Sequence, residues 1–151
     1  MAINFDNIDR HIAKFMELWG IRALRYSLAI IFIWFGILKP AGVSPAAELV
    51  RNTVYWAPVF SPEIWVDIIG WWEVLIGITF LFRKTIRLAI LLLAFQMVGT
   101  FLPLLILPEV TFQLAHMPYG LTLEGQYIIK NLLIISSALV IGGTVRKRSD
   151  E

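Results

Sequence analysis

Between Leu88 and Leu107 the chain reads LAILLLAFQMVGTFLPLLIL, twenty consecutive residues without a charge. As a helix, this run covers about 30 Å, the thickness of the hydrocarbon core of a bilayer. A water-soluble fold of 151 residues has no interior wide enough to bury such a helix on every face. The run therefore predicts an integral membrane protein, and lipid becomes the solvent against which the remaining sequence is read. Composition agrees: 58% of residues are hydrophobic and 16% charged, and mean hydropathy is +0.75. A chain of this length has room for about four spans with short connections.

The net charge of +2 would suggest anionic partners in a soluble protein. Here the basic residues flank apolar runs, so they are expected to set topology and touch lipid headgroups. The bilayer is the expected partner and nucleic acid is not. Cysteine is absent, which excludes a disulfide framework, thiolate chemistry and Cys-ligated metal sites. His11 and His116 fall in different segments, so no histidine-based metal site is expected. The charges at Asp6, Asp9, Arg10, Lys14 and Glu17 also argue against a cleavable signal peptide.

The spacing predicts an all-α bundle of four transmembrane helices, over residues 21–38, 64–82, 88–107 and 124–145, preceded by an amphipathic helix over 5–20. In that first segment Phe5, Ile8, Ile12, Phe15, Met16 and Trp19 recur every three or four residues, opposite Asp6, Asp9, Arg10 and Lys14. The pattern suits a helix lying in the membrane interface or packed on the end of the bundle. Arg22 and Arg25 are expected to snorkel at one end of the first span, and Pro40 to stop it. Ser44-Pro45 reads as the start of a short helix, and Ser61-Pro62-Glu63 as the start of the second span. Pro103 is expected to kink or loosen the end of the third. Ten Lys and Arg residues fall on one side of these spans, while only Lys39, Arg51 and Lys130 fall toward the other. That asymmetry predicts both termini in the cytoplasm.

Charges within spans are the strongest clues to function, since each costs about 2.5–3.5 kcal/mol at a helix centre on insertion scales. Glu73 lies about 13.5 Å into the second span, and Lys130 about 9 Å into the fourth from the same side. The two are expected to pair, with Asn131 nearby and Lys39 as a third member. Such a pair can simply lock two helices together, or it can handle a substrate or protons. Trp71 and Trp72 adjoin Glu73 and are read as packing anchors or as walls of a quinone pocket. Gln96 is expected to make an interhelical hydrogen bond, while Gly70 and Gly77 allow close helix approach.

Three strings carry a resemblance: RYSLAIIFIWFGILKP in the first span, WWEVLIGITF in the second, and LEGQYIIKNLLIISSALVIGG in the fourth. Together they resemble the DoxX-like membrane proteins, and among these the small bacterial inner-membrane proteins of the YkgB/RclC type. The resemblance implies a four-helix bundle in the bacterial inner membrane and a role in resistance to reactive chlorine species. It supplies no catalytic residues. Two function classes follow. One is a non-enzymatic inner-membrane protein protecting against oxidants through a partner, a small-molecule pathway or membrane integrity, its expected partner a second copy of the chain (a homo-oligomer) or another membrane protein. The other is the membrane subunit of a quinone-linked oxidoreductase. The lack of any cofactor-ligand, thiol or nucleotide motif favours the first.

Overall fold

The computed structural model describes residues 5–57 and 59–147. Its helices are α1 (Phe5–Leu38), α2 (Ala47–Val54), α3 (Pro62–Leu81), α4 (Ile86–Phe101), α5 (Pro103–Ile106), α6 (Pro108–Thr111) and α7 (Leu123–Lys147). Among the described residues, four helical segments are long and apolar enough to cross a membrane: Phe5–Leu38, Pro62–Leu81, Arg83–Ile106 and Leu123–Val145. The protein is an all-α, multi-pass membrane bundle.

α1 differs from the expectation of two separate elements. The amphipathic segment and the first span form one uninterrupted helix of 34 residues. A lone Gly20 costs only about 1 kcal/mol relative to alanine in a helix, too little to break a run of good helix formers. The helix ends in a Schellman turn: Val43 N–H bonds Leu38 C=O at 3.1 Å and Gly42 N–H bonds Lys39 C=O at 3.0 Å. Gly42 has φ +73°, the left-handed conformation this turn requires and glycine adopts without penalty.

α1 and α3 make the most extensive helix contact in the molecule, and glycine is the reason. A Cβ on Gly36 would lie 2.8 Å from Gly70 O, and one on Gly77 would lie 2.7 Å from Ala29 O. Gly36 thus faces Gly70 and Ala29 faces Gly77, seven residues apart on each helix and running in opposite directions. With no side chain between them the backbones touch, which is how helices gain packing energy in lipid. At this register Arg25 falls level with Leu81, so residues 5–24 continue beyond that end of α3. Every side chain from Phe5 to Gly20 is exposed.

Arg25 does not snorkel as expected. It is 8% exposed, its guanidinium lies 4.9 Å from the centre of the Tyr26 ring, and its Nε has no hydrogen-bond partner among the described residues. The residue sits on the face of α1 that also carries buried Leu28, Ala29 and Phe32, so the bundle covers it.

Ser61 caps α3 as the sequence suggests, its hydroxyl accepting Ile64 N–H at 3.4 Å. α2 starts later than Ser44-Pro45 implied: Ala47 N–H bonds Ser44 C=O in a preceding turn, and no side chain caps the helix. α2 packs on α3. Pro103 divides the third crossing into α4 and α5. The connection before α7 is ordered by a Phe112–Leu121 bridge and by Thr122, whose hydroxyl donates to Val110 C=O at 2.7 Å and accepts Gly125 N–H at 3.2 Å. Packing neighbours form the ring α1–α3–α4–α7–α1, and α3 and α7 are not among the packed pairs. The core between them is apolar, centred on Phe80, Ile76, Leu93 and Ile141.

Candidate functional site

Beside this apolar core a polar cluster is built around Glu73, whose side chain is 13% exposed. Lys39, 6% exposed, donates from Nζ to Glu73 Oε2 in a direct ion pair. Gln96, on α4, donates from Nε2 to Glu73 Oε1 at 3.0 Å. Both carboxylate oxygens therefore have a partner, from the end of α1 on one side and from α4 on the other. Trp72, the next residue on α3, donates its indole N–H to Leu92 C=O at 3.3 Å and ties α3 to α4 beside the carboxylate.

The geometry follows from the glycine contact. Lys39 is three residues beyond Gly36 and Glu73 three beyond Gly70, so on antiparallel helices they stand about 9 Å apart along the axis. In a helix the Cα–Cβ bond tilts toward the N-terminus. On α1 that direction carries the lysine stem toward the bundle centre, and on α3 it carries the glutamate back toward Lys39. The two side chains lean at each other, and the lysine stem crosses Gly70, where an added Cβ would lie 2.8 Å from Lys39 Cβ.

The expected Glu73–Lys130 pair does not form. Lys130 is exposed and its ammonium lies 5.2 Å from the centre of the Tyr127 ring on its own helix. Depth along the helix was a sound criterion, but it ignored which helices are neighbours and which face each residue occupies. α3 and α7 lie diagonally across the ring, and the inward face of α7 is the one bearing Gly125, Ile128, Ala138 and Ile141. Asn131 likewise stays with its own helix, donating to Tyr127 C=O at 2.9 Å and Ile128 C=O at 3.2 Å. Lys39, expected as an accessory, is the primary partner. Trp71 is 60% exposed, so of the two tryptophans it is Trp72 that is held within the bundle, by its bond to α4.

Gln96 bonds across helices as its position in the third span suggests, and gives the Glu73 carboxylate its second donor. The signal was a single amide in an otherwise apolar span. An ammonium, a carboxylate and an amide in contact can hold a proton or accept a polar group, and equally they can fasten α1, α3 and α4 together. Comparison with protein-family models, with curated proteins and with solved structures finds no match to this chain.

Proposed function

We propose that this chain is a bacterial inner-membrane protein that contributes to resistance to reactive chlorine species and related oxidants without catalysing a reaction itself, and that the Glu73 centre is required for that role. The observation that carries this reading is the meeting of Lys39, Glu73 and Gln96 from three parts of an apolar bundle. Ionisable groups within membrane spans are expensive and mark functional sites by default. The oxidant-resistance component rests on the resemblance of the first-, second- and fourth-span strings to the DoxX-like proteins. The ten-to-three distribution of basic residues supports cytoplasmic termini.

A strain lacking the gene, complemented with wild type or with Glu73→Gln, tests this under graded hypochlorous acid. Wild type should restore survival, and Glu73→Gln, with expression adjusted to match membrane abundance, should fail. Equal survival with and without the wild-type gene would end the proposal. Reporter fusions after residue 151 and within residues 108–123 should report opposite compartments.

The quinone-linked reading draws on Trp72, adjacent to Glu73 in the chain and hydrogen-bonded to α4, the helix that also supplies Gln96 to the carboxylate. Extraction of quinone with the purified protein, lost on Trp72→Leu, would favour it over the non-enzymatic one.

A further inference from the structure

A cleft runs along the seam between α4 and α7. At its basic end is a cavity of about 310 Å³ lined by Arg87, Ile90, Gly142 and Val145. Ile90 also lines a second cavity of about 270 Å³, which continues along the seam over Leu93, Met97 and Ala138 and is otherwise apolar. Ile90 stands between the two cavities on one seam, with a cationic mouth on one side of it and a hydrocarbon-like groove on the other.

The sequence explains the shape of the seam. Ile90 packs onto Gly142, where an added Cβ would lie 2.9 Å from Ile90 Cδ1, and the small residues Ala94 and Ala138 leave room on the next turns. From Arg87 to Met97 the seam extends about 15 Å along α4. That is half of a roughly 30 Å hydrocarbon core, the depth of a single leaflet. The polarity is equally specific: Arg87 and the adjoining turn residues Arg83 and Lys84 stand at one end, and apolar side chains line the rest.

From this succession of cavities and the charge pattern we infer that the α4–α7 seam binds one anionic phospholipid, with its phosphate on Arg87 and an acyl chain passing over Ile90 into the groove over Leu93, Met97 and Ala138. Basic pockets between membrane helices bind anionic headgroups, and a neutral isoprenoid chain would leave the cationic mouth without a partner. The site is separate from the Glu73 centre and does not depend on the function proposed for it.

The test uses the purified full chain in detergent, with bound lipid counted by native mass spectrometry. The probes are phosphatidylglycerol, phosphatidylcholine with the same chains, and glycerol 3-phosphate. Phosphatidylglycerol should bind saturably and about fivefold more tightly than phosphatidylcholine, as expected for about 1 kcal/mol from a basic side chain near the surface. Arg87→Gln should erase that preference. Lys84→Gln removes the same charge from the same turn but does not line the cleft, and should keep it. Ala94→Phe, which fills the groove, should weaken both lipids. If Ala94→Phe loses its helical circular dichroism, the comparison of Arg87→Gln with Lys84→Gln decides. Equal binding of the two lipids by wild type would overturn the inference. So would equal losses from Arg87→Gln and Lys84→Gln, which would reveal a diffuse charge effect. Full displacement of the lipid by glycerol 3-phosphate would show a phosphate site with no role for the groove.

Discussion

At the scale of residues, the Lys39–Glu73 pair makes the clearest demand. Removing one member of a buried ion pair leaves a charge without compensation, at a cost of about 3–5 kcal/mol, whereas replacing both can be nearly neutral. Lys39→Met and Glu73→Gln should each lower the stability of the purified protein by more than the double variant does. Coupling near zero in that double-mutant cycle would mean that the pair does not form. Gln96→Leu strips a donor from Glu73 Oε1 and should cost about 1–3 kcal/mol. Lys130→Met should cost no more than about 1 kcal/mol, the range of an exposed cation–π contact. These variants also show what the sequence made legible. Glu73 stood out because a charge amid GWWEVLIG is costly in lipid, and Gln96 because it is polar amid leucines. The partner of Glu73 was harder to read. Lys39 follows the apolar run and looked like a boundary residue, and only the antiparallel tilt of its stem brings it back to the carboxylate. Arg25 shows the opposite case: its position near a span end suggests snorkelling, but it lies on the covered face of α1.

At the scale of elements, the four crossings were legible from length and hydropathy alone, since lipid punishes any unpaired backbone and leaves helices as the available form. Their mutual arrangement was less so. Gly70 and Gly77 announced a close approach, but the sequence did not say that Gly36 and Ala29 would meet them at the same seven-residue interval. The end of α1 was visible in Pro40, and its mechanism in Gly42 was not. A direct check is Gly70→Val. Its Cβ would lie 2.7 Å from Pro40 Cδ and 2.8 Å from Gly36 O, so α1 must shift away and carry Lys39 out of reach of Glu73. Melting of the detergent-solubilised variant should report a loss of about 1–3 kcal/mol, the usual cost of overpacking. Gly99→Val is the control, because nothing lies within 4 Å of the added Cβ there. Equal destabilisation by both substitutions would show that the α1–α3 contact is looser than the backbone approach implies.

At the scale of the whole molecule, the ring of helices is fastened unevenly. α1 and α3 touch backbone to backbone, and α3 is tied to α4 through Gln96 and Trp72. α7 rests on its neighbours through the apolar side chains Ile128, Ala138 and Ile141, and its seam with α4 carries the open cleft. Hydrogen exchange in detergent should follow this order, with amides of residues 28–38 and 66–80 outlasting those of residues 128–141. The reverse order would contradict the packing described. In mechanical terms, the glycine contact makes α1 and α3 a single stiff spar, with the ion pair as a rivet near one end. α7 is the compliant member. Any motion that admits a ligand or partner then costs least as a swing of α7, leaving the charged centre clamped in the half of the protein that does not move.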